Sequence, residues 1–462
     1  MTDVHSLSPT LDEERTALPG GVGLIWLAAT MTASTLPLGA LVVALFPRAD
    51  FLLVLILASL FFVTVGLISL PGFQLGIPTM AISARLFGSS FNRLISISNW
   101  FSQVGWQAVV LVLVVFVIRS LLEYLHLAQG TTALVLAIVL GVLANFVIPV
   151  IGYSAIVKVQ SFSAVIMGCF ALYILWHLHG FSLLWTESYA SHHGSWLQTF
   201  AALSLALMGG ALSWTMFAAD YSRYLARSSK PAAVFLWPAL GGGVGGALIL
   251  WLAFSLYFTG GIKINAGGLS IAAKGMASPM LYLAFCIFAI LGLLASNFLN
   301  SYSSAFSLAV TLGRDLNRKY VTLLDAVLAS LLAFYVLFVA PSFFDAFQTF
   351  LDLLIIIAAP WTGVVCSAIV LRADSSLVEG IKSPAYGRIA ILLLGVMATI
   401  LFSNNPLWEG WGARILANND ISPLIGFGLG LLLETVHQLA VRRKLVKMTG
   451  KIAVADALVE HP

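Results

Sequence analysis

Twelve long apolar stretches constrain this chain more than any other feature. They lie at residues 22–45, 51–70, 94–118, 131–151, 156–178, 198–222, 232–258, 279–310, 321–340, 346–371, 387–403 and 421–440. A helix that crosses the hydrocarbon core of a bilayer needs about 20 apolar residues. Charged residues make up only 9% of the chain, whereas water-soluble domains carry roughly a quarter. The sequence therefore excludes a soluble fold and predicts an all-α membrane protein with twelve transmembrane helices.

The distribution of basic residues supports this count and orients it. If the N-terminus is cytoplasmic, eighteen of the 23 Lys and Arg residues lie in inner segments. The other five, Arg48, Arg119, Lys263, Lys274 and Arg414, lie in outer segments. Basic residues are enriched in cytoplasmic loops, so we expect both termini in the cytoplasm and the chain in the plasma (cytoplasmic) membrane. The first twenty residues lack the features of a cleaved signal peptide.

Two spans contain weak points in their helical pattern. The first span includes TASTLPLGAL (residues 32–41), with Pro37 and Gly39, and the sixth includes LMGGALSWTM (residues 207–216), with Gly209 and Gly210. Broken helices at membrane depth are tolerated only inside protein or beside water. The simpler interpretation is an ordinary kink, because Gly and Pro are frequent in membrane helices. Two breaks five spans apart, each beside hydroxyl side chains, favour inverted repeats around a central site.

This pattern predicts how the chain is divided. We expect a cytoplasmic tail at residues 1–20, a first repeat of helices 1–5 at 21–180 and a second of helices 6–10 at 195–372. Two accessory helices should occupy residues 385–442, and a cytoplasmic tail should follow at 443–462.

The third and eighth spans carry polar residues on one face. Asn99, Ser102, Gln103 and Trp106 follow helical spacing, with Trp100 and Gln107 beside them. A glutamine facing lipid is costly, so this face should point inward. The eighth span contains SNFLNSYSSAFSLAV (residues 296–310), in which two stripes of Ser and Asn lie side by side. Serines commonly bridge helices, but Asn297, Asn300 and Gln103 favour a binding site.

Such a site offers amides, hydroxyls and indoles without an obvious ion pair. Amides both donate and accept hydrogen bonds, and indoles stack on flat rings. This chemistry suits a small, planar, neutral, polar heterocycle. The spans lack the clustered acids and histidines of a membrane enzyme, and the chain has no GxxxxGK[ST] motif for a nucleotide. We expect no prosthetic group, no metal and no nucleic-acid partner, and a monomer or weak oligomer in lipid.

Four segments resemble one family of transporters. GIPTMAISARLFG (residues 76–88), QVGW (103–106), SWTMFAADYSRYL (213–225) and the eighth-span segment above resemble the nucleobase:cation symporters. These include the cytosine, purine, allantoin and hydantoin permeases, and the resemblance is to the purine–cytosine branch. It implies a leucine-transporter-like fold with a 5+5 inverted repeat, broken helices 1 and 6 and two accessory helices. It also implies import of a nucleobase, cytosine and/or purines, by cation symport through alternating access.

The resemblance assigns roles to particular residues. Trp106 matches the third-span tryptophan that stacks on the substrate, and Trp214 matches the sixth-span tryptophan that covers the other face. Asn297 and Asn300 both fit the position of the eighth-span asparagine. Ser34 and Thr32 lie where the family places a substrate-facing hydroxyl, and Ser213 adjoins Trp214.

The sequence departs from the family at two positions. Some members carry an amide where this chain has Val110, so Gln103 or Gln107 would have to supply that contact. Ala211 stands where the cytosine and hydantoin permeases have an aromatic residue, which strengthens the case for Trp214.

The coupling ion is predicted from a missing set of ligands. Sodium-coupled proteins of this fold bind the ion between the first and eighth spans, and a hard cation prefers oxygen ligands. Residues 288–295 (FAILGLLA) contain no Ser or Thr, so we expect proton coupling. Lys158 and Asp352 are the candidate carriers, although an inner-loop lysine is the simpler interpretation of Lys158. The alternatives are a sodium-coupled permease of allantoin, hydantoin or a vitamin pyrimidine, and a channel or receptor.

At the inner end of the sixth span, Asp220 and Arg223 lie three residues apart. This spacing predicts an ion pair between them.

Overall fold

The structure is a computed structural model that describes residues 7–151, 153–177, 195–258, 278–371 and 385–459. Lys263, Lys274 and the two chain ends lie outside these ranges. The helices are α1 (Pro19–Thr30), α2 (Thr35–Leu45), α3 (Phe51–Leu60), α4 (Val63–Leu75), α5 (Thr79–Phe87), α6 (Ser89–Tyr124), α7 (Gly130–Ile151), α8 (Tyr153–His177), α9 (Trp196–Met208), α10 (Ala211–Thr215), α11 (Ala219–Ser222), α12 (Pro231–Phe258), α13 (Pro279–Leu312), α14 (Arg318–Phe338), α15 (Phe343–Val370), α16 (Tyr386–Phe402), α17 (Trp411–Ile415) and α18 (Ser422–Val459).

The apolar helices follow the predicted order along the chain. Within the described ranges, ten helical segments are long and apolar enough to cross a membrane. The bent pair α1–α2 and the shorter apolar helix α16 add two more, which together match the twelve predicted stretches. The twelfth helix, α18, continues to Val459, so residues 443–459 extend this helix. The division into two repeats stays a prediction.

The first span is interrupted one turn earlier than its proline indicates. α1 and α2 meet at an angle of 56°, and the residues between them are 31–34. Pro37 is the third residue of α2, where a helix does not use its backbone N–H groups. The interruption coincides with two hydroxyls, because Thr32 Oγ1 and Ser34 Oγ lie 3.1 Å apart. Such side chains compete with the helix for backbone hydrogen bonds.

The sixth span is interrupted at its glycine pair, as predicted. α9 ends before Gly209 and α10 begins after Gly210. A Cβ atom added to Gly209 would lie 2.7 Å from Leu38 Cδ2, so the Leu38 side chain would have to move to accommodate it. Glycine therefore allows α2 to pack directly against the break, and the interrupted parts of the first and sixth spans are in contact.

The N-terminal residues 7–17, which we call the strap, pack across the ends of α4 and α11. The backbone N–H of Thr10 donates to the Gly76 carbonyl at 2.8 Å. Arg15 Nε donates to the Leu225 carbonyl at 3.1 Å, and the N–H of Ala17 donates to the Tyr224 carbonyl at 3.0 Å. The residues predicted as a tail are thus bound to the helical bundle.

Both members of the predicted Asp220–Arg223 ion pair also form hydrogen bonds with other segments. Asp220 Oδ1 accepts from the Thr79 backbone N–H at 2.8 Å and from its hydroxyl at 2.9 Å. Arg223 Nε donates to Thr10 Oγ1 at 2.6 Å, and its Nη2 donates to the Ser8 carbonyl at 3.0 Å. The carboxylate holds the start of α5, and the guanidinium holds the strap.

Candidate substrate-binding site

A small cavity lies where the two broken spans meet α6 and α13. Its lining residues are Thr32, Ser34, Trp106, Gly209, Ser213, Trp214, Phe217, Ser296 and Asn300. Six of them are site residues that the sequence predicts: Thr32, Ser34, Trp106, Ser213, Trp214 and Asn300. The cavity volume is about 10 Å³, which is roughly the space of one water molecule. The structure therefore brings these predicted residues together around one small cavity.

Both predicted stacking residues reach this cavity. Trp106 and Trp214 are each 7% exposed. Trp106 contacts Phe350 edge-on, with ring centroids 5.3 Å apart, and Trp214 contacts Trp26 in the same way at 5.6 Å. Edge-to-face contacts of this kind are favourable and fix the ring planes. Trp106 Nε1 has no hydrogen-bond partner among the described residues, so its N–H is available for a ligand.

Hydroxyl groups form a neutral polar wall beside the indoles. Thr32 Oγ1 lies 3.1 Å from Ser34 Oγ and 3.2 Å from Ser296 Oγ, which joins the break of the first span to α13. Ser213 Oγ donates to the Gly210 carbonyl at 2.8 Å. No charged residue is among the described residues that line the cavity. The lining is thus suited to a polar ligand without net charge.

The two candidate asparagines occupy different places. Asn300 lines the cavity, whereas Asn297 does not. Asn297 is fully buried, and within the described ranges neither its Oδ1 nor its Nδ2 has a hydrogen-bond partner. Asn300 is therefore the asparagine placed to contact a ligand in this conformation.

The two predicted glutamines lie outside the cavity lining. Gln103 Nε2 donates to Ser307 Oγ at 3.3 Å, and Asn99 Nδ2 donates to the same oxygen at 2.9 Å. Gln107 Nε2 donates to Asp325 Oδ2 at 3.3 Å. This polar face of α6 points into the protein, as expected, but its amides bind other helices. Sequence reasoning overlooked Asp325, although a lone acid in an apolar stretch is a recognisable signal.

The residues that line the cavity lie in a part of the chain that matches a known permease family. The family described as permeases for cytosine/purines, uracil, thiamine and allantoin matches residues 9–412. The chain belongs to this permease family. Among curated relatives, the purine-cytosine permease FCY2 of Saccharomyces cerevisiae is 26% identical over 271 residues, which cover 56% of this chain and 46% of that permease. The purine-cytosine permease FCY22 of the same yeast is 26% identical over 245 residues, covering 51% and 42%. The chain spans less than half the length of these two relatives.

Solved transporter structures share the fold. The permease chain superimposes on Mhp1, a nucleobase-cation-symport-1 family transporter solved in a closed conformation with bromovinylhydantoin bound, with a TM-score of 0.71. That match covers 96% of both chains at 15% identity. A Na⁺-coupled sialic acid symporter matches with a TM-score of 0.64 at 14% identity, covering 93% of this chain and 91% of that one. The leucine-transporter-like fold predicted from the sequence is confirmed, and the chain is an integral membrane protein of the permease family.

The two predicted coupling residues have different surroundings. The side chain of Lys158 is exposed on the protein surface, so the burial that the hypothesis of a titrating lysine required is absent. Asp352 is 1% exposed, and its Oδ2 has no hydrogen-bond partner in the described part of the chain. Of the two, only Asp352 is placed inside the protein.

Asp352 and Asp420 line a second cavity, which we call the vestibule. Its volume is about 200 Å³, and α2, α9, α15 and the segment between α16 and α18 enclose it. Burial raises the pKa of Asp420, whereas the backbone N–H groups of Asn404 and Ser422 lower it by donating to the carboxylate. The vestibule is therefore a polar chamber with two neighbouring carboxyl groups.

Proposed function

We propose that this permease imports a nucleobase, cytosine and/or a purine, across the plasma membrane by proton symport through alternating access. The observation that carries the proposal is the neutral cavity at the two helix breaks, where two indoles, several hydroxyls and one asparagine amide converge. A flat heterocycle can stack on Trp106 and Trp214 while the amide of Asn300 reads its polar edge. The neutral lining disfavours amino acids and organic anions, because their buried charges need partners.

The small cavity fits one step of the proposed cycle. At about 10 Å³ it is too small for a nucleobase, so the two indoles must separate before a substrate binds. The sixth span extends from Gln198 at the vestibule to Arg223 at the strap, with the cavity between. The vestibule and the strap therefore mark opposite ends of the route. The basic residues orient the strap towards the cytoplasm.

The packing of α13 against the first break supports the proton as coupling ion. A Cβ atom added to Gly292 would lie 2.6 Å from the Met31 carbonyl oxygen, so helix backbone closes the space beside that carbonyl. A sodium ion needs several oxygen ligands at such a position, and residues 288–295 offer no hydroxyl. We further propose Asp352 as the acceptor of protons that arrive through the vestibule.

Binding measurements on purified protein test the substrate. A thermal-shift panel should contain cytosine, adenine, hypoxanthine, uracil, allantoin, a hydantoin and thiamine, with cytidine as a bulkier control. We expect cytosine or a purine base to give the largest stabilisation. Stabilisation by allantoin, a hydantoin or thiamine alone would overturn the nucleobase assignment while leaving a transporter of heterocycles.

Transport measurements in proteoliposomes test the coupling. We expect accumulation of the labelled base with acid outside and none in response to a sodium gradient at equal pH on both sides. Accumulation that requires sodium and ignores the proton gradient contradicts proton symport. Uptake that never exceeds the external concentration indicates a channel.

A further inference from the structure

Asp325 is a buried carboxyl group that the substrate cavity does not explain. It lies in α14 and is completely buried. Its Oδ1 accepts from the indole Nε1 of Trp100 at 3.0 Å, and its Oδ2 accepts from Gln107 Nε2 at 3.3 Å. Oδ2 also accepts from the hydroxyl of Ser304. Two helices, α6 and α13, thus direct polar groups at a carboxyl that belongs to a third helix, α14, and we call these four residues the Asp325 cluster.

The groups that face this carboxyl are uncharged. In the described ranges, Asp325 belongs to no ion pair, and its partners are an indole, an amide and a hydroxyl. The helices packed against α14 are α6, α7, α13 and α15. Of these, α7 and α13 contain no Lys, Arg, Asp or Glu. The charged residues of the others, and of α14 itself, are Arg93, Arg119, Glu123, Arg318, Lys319, Asp345 and Asp352.

A carboxyl without a counter-ion at membrane depth is expensive, and such groups commonly relay protons. Arg119 is paired with Glu123 at 3.0 Å, and Arg318 and Lys319 occupy the first turn of α14. In the described part of the chain, no ion pair holds Asp325 in its ionised form.

The cluster can satisfy both protonation states without moving its backbone. Trp100 Nε1–H can only donate, so it stays on Oδ1 in either state. The amide of Gln107 can rotate to offer Oε1, which has no partner among the described residues, and the Ser304 hydroxyl can accept as well as donate. A proton on Oδ2 would therefore find an acceptor at once. Two further buried oxygens without described partners, Thr322 Oγ1 and Ser301 Oγ, lie one turn from Asp325 and Ser304.

Two members of the cluster adjoin the substrate cavity along the chain. Gln107 directly follows Trp106, and Ser304 lies one helical turn after Asn300. Trp106 and Asn300 line the cavity. A change in the hydrogen bonds at Asp325 thus acts on α6 and α13 next to the two residues that would contact the substrate.

We infer that Asp325 is a proton-binding site that couples proton movement to substrate transport through Gln107 and Ser304. This inference rests on the proposed proton-coupled function. A proton on Oδ2 is donated to one of these two partners and so reverses the hydrogen bond of either Gln107 or Ser304, and the neighbouring Trp106 or Asn300 transmits the change to the cavity. The bound proton leaves from the same carboxyl when the site opens towards the cytoplasm, so no other reactant is consumed.

The test compares Asp325→Asn with the wild type and with Asp345→Asn in proteoliposomes. Asp345 is an exposed carboxyl at the start of α15, which makes it a matched control. For Asp325→Asn we expect exchange of labelled cytosine for internal cytosine within about fivefold of the wild type. Accumulation driven by a proton gradient should fall at least tenfold, and Asp345→Asn should retain both activities. Asp325→Asn that accumulates cytosine like the wild type overturns the inference.

Two further measurements decide the matter if Asp325→Asn does not fold. Ser304→Ala keeps the carboxyl and should displace the pH of half-maximal uptake by at least half a unit, and an unchanged profile contradicts the assignment. In infrared difference spectra, the wild type should show a protonated carboxyl band on acidification that Gln107→Leu shifts. Failure of the wild type to bind any base or to respond to a proton gradient would instead refute the proposed function itself.

Discussion

Replacing Trp106 by leucine isolates the stacking contact on which the proposed substrate class depends. Leucine keeps apolar volume in the pocket but removes the flat π-surface. Stacking of a base on an aromatic side chain is worth about 1–3 kcal/mol, and each 1.4 kcal/mol corresponds to roughly tenfold in affinity. We therefore expect the dissociation constant for the cognate base to rise by about five- to 150-fold.

The structure separates this effect from a general loss of stability. Trp106 also contacts Phe350 at 5.3 Å and Phe347 at 6.0 Å, and edge-on aromatic pairs contribute about 0.5–1.5 kcal/mol each. Those contacts are present in the ligand-free protein, so their loss lowers the melting temperature. The affinity change comes from the ring of the ligand. Equilibrium binding of labelled base and thermal unfolding must therefore be measured on the same preparations.

Trp361→Leu is the matched control. Trp361 is completely buried, donates from Nε1 to Ser83 Oγ at 2.9 Å and does not line the cavity. We expect it to lower stability and to leave the dissociation constant unchanged. If Trp106→Leu folds and binds the base within twofold of the wild type, the stacking argument is refuted.

Three other predictions concern the cavity, the sixth-span break and the accessory helices. Asn300→Ala should weaken base binding by about 1–3 kcal/mol. In the same binding assay Asn297→Ala should have a smaller effect, and equal effects of the two variants would contradict the placement of the ligand. Gly209→Val introduces side-chain atoms where a Cβ alone would be 2.7 Å from the first span, so uptake should fall more than tenfold, and normal uptake would show that the contact is dispensable. Arg388 and Glu434 form an ion pair at 2.8 Å, with side-chain exposures of 4% and 0%. Arg388→Ala should therefore lower the free energy of unfolding by about 3–5 kcal/mol, and the double variant Arg388→Met with Glu434→Leu should restore most of that stability.

The sequence was sufficient for features set by local patterns. Apolar length determined the helices, and helical spacing placed Trp106 and Asn99 on an inward face because the membrane leaves polar side chains no other favourable position. The glycine pair at Gly209 marked the sixth-span break correctly. The first break lies at Thr32 and Ser34, as predicted, and Pro37 does not interrupt the helix because it occupies the opening turn of α2.

Contacts between distant segments were beyond the sequence pattern. Gln107 fits a ligand-binding amide by its spacing, yet its donor binds Asp325, which lies 218 residues further along the chain. The strap depends on similar long-range contacts, since Arg15 binds a carbonyl 210 residues away. Helical periodicity states which face of a helix is polar, but the identity of the facing helix comes only from the tertiary structure.

The strap bears on how tightly the proposed symporter would couple proton movement to substrate movement. A symporter dissipates its ion gradient whenever it changes between its outward- and inward-facing states with only the ion bound. Hydrogen bonds of Thr10, Arg15, Ala17 and Arg223 join the strap to its neighbours, and each has a net worth of about 1 kcal/mol. If the chain is the proton symporter proposed above, we expect these bonds to suppress opening of the protein without substrate, so that removal of residues 7–17 lets protons cross without substrate.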